Sequence, residues 1–447
     1  MSGAAPEVAL VCAGDDPRLG ERLRAAAWRG VLPTVHARPG DRRAFRLAAA
    51  AGAPTSTLPL PGVDAGTLAD WDAPILDGLV ERGWRIRSAE PPVPAPVRLD
   101  GVRALHLTSV HRPDDGRILH REVTALRAAG ADASVLGLPR RPTRAQRIPA
   151  GWKLVAEARR RRVDVVHVHD PELLPAAALL RGTGTRVIYD AHEYLGQTTR
   201  TKPWIPRLLR TPTAVAVSRL ERLLAGRLDA VVAVTEDMAL DFAESGIRAV
   251  SVANFAPRGR FAEPGEPEGP VVVYVGALDR SRGRELMLEA FPMVDLRGAR
   301  LILAGPGEPG PLPPRVEHIG PVAYDDVPAV LARAAVIWVP LRRTPNNDRG
   351  RLTKVMEAMA SGRPLVVSDL ARTAAIVRQA GCGIVAPFDD PGAHAAAITR
   401  LLRDPGTARR MGTAGRAAFL ERYTFEREAA KLVALYAELT GRTGTAG

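Results

Sequence analysis

Short apolar runs alternate with amphipathic stretches over most of this chain. The runs at 102–108, 133–138, 163–169, 186–190 and 230–234 have the length and the Val/Ile/Leu content of buried strands. Between them, 118–129 and 173–180 carry apolar residues at helical spacing. The alternation resumes further on. Strands are predicted at 271–275, 300–304, 336–340 and 365–368, helices at 284–291 and 353–360, and a helical tail over 406–447. Two breaker-rich segments divide the pattern, proline-rich 90–96 and Pro/Gly/Glu-rich 262–270. The first block, 1–97, has a strand-like run at 8–12, a helix-like run at 18–27 and a helix-to-strand pattern at 75–87. No chemistry can be read from it. The expectation is an α/β protein: two facing Rossmann-like domains, 98–260 and 268–405, with an extra N-terminal α/β extension. Ligands of such sheets bind beyond the carboxyl ends of the strands. The site is therefore expected in the cleft between the domains.

Composition narrows the classes. The chain has 447 residues, 46% hydrophobic and 25% charged, values of a globular protein. No apolar stretch is long enough to span a bilayer. The start lacks the basic n-region of a signal peptide, so a cytoplasmic location is expected. The two cysteines, Cys12 and Cys382, are far apart and suggest neither a disulfide framework nor a metal framework. The net charge of +13 fits nucleic-acid binding in principle, but only 4% of residues are aromatic and no recognition motif is present. Arg enrichment along the whole chain reads as compositional bias, compatible with phosphate-bearing substrates or an anionic lipid surface. The basic residues of 200–210 are mixed with Trp204, Leu208 and Leu209, which suits a peripheral membrane contact. A second basic group, 140–162, reads more simply as solvated helix faces.

Candidate chemistry lies at predicted strand ends. Strand 271–275 runs into Gly276-Ala277-Leu278-Asp279-Arg280-Ser281-Arg282-Gly283 and then a helix. A glycine turn, two guanidinium groups and a helix N-terminus suit a diphosphate, and an ordinary strand-to-helix turn with solvated arginines is the alternative. The G-x-G-x-x-G at 305–310 is not a dinucleotide motif, because Pro309, Pro311, Pro313 and Pro314 forbid the helix that motif must open. Glu357 follows the polar loop 344–350 by half a helix. It could accept two hydrogen bonds from a vicinal diol, lie on a solvated face, or pair with Lys354 at i−3. His167 and His169 point to one face of their strand, and Asp170, Asp190, His192 and Glu193 lie at strand ends. A metal could use such groups, but polar residues are expected at a cleft in any case, and we expect no metal. His192, just past its strand, is the strongest catalytic candidate of the group, with a hydrogen-bonded structural histidine as the alternative. In the polar loop 109–117, His111 is a candidate substrate contact. Arg117 could face phosphate or pair with Asp114 or Asp115.

Taken together, VDVVHVHDPELLP (163–175), YDAHEYL (189–195), VGALDRSRG (275–283), LILAGPG (301–307), HIGPV (318–322) and KVMEAMASGRPLVVSD (354–369) resemble the family 4 retaining glycosyltransferases of GT-B fold. The resemblance spans about 100–440, and the tail resembles the helices that in this family cross back to the N-terminal domain. It implies that Glu357 binds the ribose, that Gly276 and Arg282 hold the diphosphate, that His192 touches the donor sugar and that the backbone at Gly320, Pro321 and Val322 holds the base. Asn254 falls at the family's interdomain hinge. Two positions depart from the pattern: Ala277 replaces an arginine, for which Arg280 would substitute, and Arg349 replaces the first acid, leaving Asp348 as its stand-in. The resemblance implies a nucleotide sugar as co-substrate, no cofactor or metal, and a lipid-linked or small-molecule acceptor. A nucleotide-sugar epimerase, or a non-catalytic sugar-nucleotide-binding protein, would fit the same fold.

Overall fold

The structure, a computed structural model, describes residues 97–138, 143–200, 202, 204–344, 347 and 353–442, with the backbone of three short strands before them. Those strands, β1 (Ala9–Val11), β2 (Thr34–His36) and β3 (Thr55–Ser56), form a parallel sheet. β1 falls within the expected strand 8–12. The expected elements at 18–27 and 75–87, and the linker 90–96, lie outside the described residues.

Met1–Ala253 with Glu428–Gly447 forms one compact unit, and Asn254–Arg427 a second. In the first unit, β4 (Arg103–Thr108), β5 (Asp132–Gly137), β6 (Val165–Val168), β7 (Arg186–Ala191), β8 (Ala230–Ala233) and β9 (Ala249–Ser251) pair in the order β5-β4-β6-β7-β8-β9, all parallel. Every residue of β6 and β8 is buried, which explains why these strands read as apolar runs rather than alternating ones. The helices are α1 (Thr124–Ala128), α2 (Arg144–Arg161), α3 (Leu174–Ala177), α4 (Leu195–Arg200), α5 (Arg207–Ala225) and α6 (Glu236–Glu244). Leu105, Val166, Val168, Val187 and Val231 pack against Leu154, Leu174, Ala225 and Leu240 in the core. The helix expected at 118–129 starts instead as a π-helical turn, Ile118–Val123, whose Glu122 N–H reaches the Arg117 carbonyl. This wide turn carries both Arg117 and Glu122 inward.

The second unit repeats the plan. β10 (Val271–Val275), β11 (Arg300–Ala304), β12 (Val316–Gly320), β13 (Val336–Val339), β14 (Leu365–Ser368) and β15 (Gly383–Ala386) pair as β12-β11-β10-β13-β14-β15, again all parallel. The helices are α7 (Arg284–Ala290), α8 (Val327–Ala332), α9 (Thr353–Ala360), α10 (Ala371–Ala380), α11 (Pro391–Arg403) and α12 (Pro405–Arg422). Asp390 and Asp404 cap α11 and α12, accepting from the Ala393 and Thr407 N–H groups. No helix follows the glycines at 305–310, as the prolines require.

The expected C-terminal segment 406–447 divides. α12 stays with the second unit, where Gly412 packs so closely that a Cβ would lie 2.1 Å from the Gly362 carbonyl oxygen. The last helix, α13 (Phe425–Leu439), belongs to the first unit from Glu428 onward. Glu428 accepts from the Ala253 N–H at 2.7 Å, and Tyr436 is fully buried. Strand order reverses between β4 and β6 in one sheet and between β10 and β13 in the other. Those are the switch points where doubly wound sheets take ligands.

Candidate active site

At the first switch point, β6 ends in His169 and Asp170. Asp170 Oδ2 accepts from Thr108 Oγ1 at 2.8 Å, from the Ser109 N–H at 2.7 Å and from the Val110 N–H at 3.1 Å. This carboxylate therefore shapes the start of the loop after β4. Its other oxygen lies 3.0 Å from His111 Nδ1. The hydrogen bond to Asp170 raises the His111 imidazolium, outweighing partial burial. Burial works to raise Asp170, but His111 and the backbone donors hold it below the usual carboxylate range. The His111 and His192 rings are 4.9 Å apart, so the structure brings these two candidates together.

His192 follows β7, and its side chain is 20% exposed. Its Nε2 lies 2.9 Å from Asp190 Oδ2. Arg117 corrects an expectation. Its guanidinium is buried and grips Asp190 in a two-pronged pair, Nε to Oδ2 and Nη2 to Oδ1, both at 2.9 Å. It also donates to the Val252 carbonyl and lies 3.0 Å from Glu122. It therefore faces neither phosphate nor the side chains of Asp114 or Asp115, because two buried carboxylates hold it inside. Burial works to lower the Arg117 cation and the Asp190 and Glu122 charges outweigh it. Burial likewise works to raise Asp190, and Arg117 with its histidine neighbours holds it well down. Glu122, buried beside Asp190, is pushed well up.

Behind this edge lie three fully buried histidines, His106, His167 and His169, and Tyr436 from α13. His106, Glu122, His167 and His169 form one set of metal-type donors, and His169, Asp190 and His192 another. Most of the ring nitrogens are already paired, His106 with His169 at 2.9 Å and with Tyr436 at 3.2 Å, and His167 Nδ1 with Tyr436 at 3.0 Å. Burial, then neighbouring histidines, keeps His106 and His167 neutral.

In the second unit, the glycine turn after β10 is closed by α9. Lys354 Nζ donates to the Val275 carbonyl at 2.5 Å. It lies where a Cβ of Gly276 would be, 1.4 Å from that point, and Gly276 has φ +151°. Burial, with the nearby Arg282 charge, lowers Lys354 to about 8, while Glu357 and Asp279 oppose the shift. Gly276, Arg282, Lys354 and Glu357 therefore gather at one strand end. Asp279 caps the 3₁₀ turn Arg280–Arg282 by accepting from the Arg282 N–H, and Arg280 is exposed. Gly283, at φ +81°, abuts the carbonyl of Pro340 at the end of β13. Asn347 ties the following loop to this turn through the Ser281 carbonyl. Gly305 stacks on the Gly276 carbonyl and donates to the carbonyl of Gly320, where β12 ends just before Val322. Asp348 and Arg349 lie outside the described residues.

The basic stretch 200–210 leads into α5. Trp204, Leu208, Leu209, Leu220 and Leu223 are all exposed there, Leu208 at 92%. In the other basic group, Arg160 and Arg161 pair with Glu157 of their own helix, as a solvated face would. Sequence reasoning missed His106, Asp170 as an anchor, Asn347 and Tyr436. Only Asp170 carried a signal, as the acid closing His167-Val168-His169-Asp170.

Comparison with known proteins follows the same division. Residues 75–257 match the family described as "Glycosyl transferase 4-like domain", and 269–404 match "Glycosyl transferases group 1". An alpha-D-kanosaminyltransferase of Streptomyces kanamyceticus is 26% identical over 39% of this chain and 47% of its own length. A phosphatidyl-myo-inositol mannosyltransferase of Mycobacterium tuberculosis is 28% identical over 43% and 53%. The chain thus aligns with about half the length of these curated relatives. A sucrose-phosphate synthase structure from Thermosynechococcus elongatus superposes with a TM-score of 0.62 at 20% identity, covering 76% of this chain and 100% of that one.

Proposed function

The chain belongs to the family 4 glycosyltransferases of GT-B fold, and from that premise we propose that it moves a sugar from a nucleoside-diphosphate sugar to an acceptor hydroxyl with retention of anomeric configuration. The observation that carries the reading is the closed turn at the end of β10. There a glycine at φ +151°, a half-buried lysine and Arg282 converge beside Glu357. Such an arrangement is built for a diphosphate next to a diol. Arg282 and Lys354 meet the phosphate oxygens, Glu357 accepts from the ribose hydroxyls, and Arg280 adds charge from the exposed side of the turn.

In this mechanism the acceptor hydroxyl attacks the anomeric carbon on the face the diphosphate leaves. The carbon–oxygen bond to the diphosphate breaks, and a phosphate oxygen takes the hydroxyl proton. The protein neutralises leaving-group charge with Arg282, Lys354 and Arg280, and orients sugar hydroxyls with His192 and His111. No metal takes part, and chelator is expected to leave turnover unchanged. A lipid-linked acceptor is favoured by α5. Its outward side combines Leu208, Leu220 and Leu223 with arginines, and its one acid, Glu221, is buried against Tyr189. The mycobacterial relative is itself named for a phosphatidylinositol acceptor.

A thermal-shift panel of UDP-, GDP- and dTDP-sugars tests the donor. Ligand at 100 times Kd adds roughly 2.7 kcal/mol, so one nucleotide should stand out. Product formation with added acceptor then tests transfer. Arg282→Ala should lower turnover by about 10²–10³-fold. No stabilisation by any nucleotide sugar, product without acceptor, or full turnover of that variant would each overturn the reading.

A further inference from the structure

The half-site of the first unit has an internal order that follows from hydrogen-bond chemistry alone. A neutral imidazole has one N–H donor and one lone-pair acceptor, and fixing either nitrogen fixes the other. Asp190 stands at the head of the cluster as an ionised acceptor, locked by both prongs of Arg117. An ionised carboxylate only accepts. Both nitrogens within reach of its Oδ2, His192 Nε2 at 2.9 Å and His169 Nδ1 at 3.1 Å, must therefore carry protons. Those two nitrogens are 3.3 Å apart, and two N–H groups converging on one oxygen account for that spacing without a bond between them.

The rest of the chain follows. With Nδ1 protonated, His169 offers only a lone pair at Nε2, so His106 donates to it from Nδ1 across 2.9 Å. His106 Nε2 is then a lone pair, and the Tyr436 hydroxyl donates to it across 3.2 Å. The Tyr436 oxygen in turn accepts from His167 Nδ1 at 3.0 Å. His167 is left with a lone pair at Nε2, and that atom is buried with no hydrogen-bond partner among the described residues. Every link between the rings is satisfied by one direction of donation, and Glu122 Oε2 stands beside the middle of the chain, 3.8 Å from His106 Nδ1 and 3.9 Å from His169 Nε2, beyond hydrogen-bond distance of either.

We propose that Asp190 is the positioning residue of this half-site. It holds His192 as the Nε2–H tautomer, so that Nδ1 presents a lone pair to accept from a substrate hydroxyl. The same carboxylate sets one donor direction through His169 and His106 to Tyr436 of α13. The tautomers depend only on this geometry, whereas the substrate hydroxyl rests on the transferase reading. The two can therefore fail separately.

Histidine side-chain NMR on the full-length, ¹⁵N-labelled protein reads the tautomers directly. The expected pattern at neutral pH is Nε2–H at His192 and Nδ1–H at His169, His106 and His167. Nδ1–H at His192, or Nε2–H at His169, overturns the proposal. Tyr436→Phe removes the partner of both His106 Nε2 and His167 Nδ1, but only His167 should lose its tautomer preference, because His106 Nδ1 still donates to His169. A flip of His192 in that variant would show that the direction is set from the other end. Activity supplies an independent arm. Asp190→Asn and His192→Ala should each lower kcat/KM on the order of 10²-fold. The double variant should lose no more than His192→Ala alone, because Asp190 acts through His192. Additive losses would mark a purely structural aspartate. If Asp190→Asn does not fold, the spectrum of the unsubstituted protein still decides.

Discussion

At the scale of single residues, Lys354 makes the clearest claim. Its amine is lowered to about 8, first by burial and then by Arg282. A bound diphosphate favours the charged form. The nucleoside diphosphate selected by the thermal-shift panel should therefore bind tightly below pH 8 and weaken as pH rises through that value. Lys354→Met should bind more weakly and lose this pH dependence. Calorimetric titrations at pH 7 and 9 check both, and an equal pH response in the two proteins would remove Lys354 from the site. The glycines of the turn should behave differently from each other. A Cβ at Gly276 meets the Lys354 amine at 1.4 Å and the Tyr274 hydroxyl at 2.9 Å, at a φ of +151° that L residues rarely adopt, so Gly276→Ala should displace the lysine and impair binding as well as strain the turn. A Cβ at Gly283 meets the Pro340 carbonyl oxygen at 1.9 Å, and backbone cannot yield so cheaply. Gly283→Ala should cost roughly 1–3 kcal/mol of stability in denaturant unfolding.

Elements were legible where burial was even and the chain local. β10, β11 and β14 match the predicted strands residue for residue, because each is an apolar run buried on both faces. Of the outer strands, β5 was visible as the run 133–138, but β9 and β12 were not. β9 has three residues, and β12 is only partly buried, so VEHIG carries no apolar run. The helical spacing of 118–129 concealed the π turn, since its cause is a pair of side chains turned inward toward a partner 73 residues away. The site divides along the same line. That Glu357 and the 276–283 turn lie near one strand end was readable from their place in the pattern, and Lys354 only as a possible partner of Glu357, whereas Arg117 was misread because Asp190 is remote in sequence. α5 supplies the test at this scale. Replacing Leu208 and Leu223 by Glu should abolish binding to vesicles containing phosphatidylglycerol and leave turnover on a soluble acceptor intact. Vesicle co-sedimentation that is unchanged would end the lipid-surface reading.

For the whole molecule, the telling feature is that the first unit is completed by the end of the chain. From Glu428 onward α13 satisfies the Ala253 N–H and buries Leu432, Leu435 and Tyr436 completely or nearly so. Emptying one large aromatic position alone costs about 3–5 kcal/mol, a large part of the roughly 5–15 kcal/mol that holds a domain folded. A chain ending at Arg427 should therefore lose the cooperative unfolding transition of the first unit. Its second unit keeps β10–β15, α7–α12 and the β10 turn. Two scanning-calorimetry runs separate the consequences. The nucleoside diphosphate should still raise the remaining transition of the truncated protein, since every group assigned to diphosphate binding lies between residues 276 and 357. If truncation instead abolished that ligand-induced shift while the transition itself survived, the diphosphate groups would need the first unit to be competent. The donor half of the site could not then be assigned to the second unit alone.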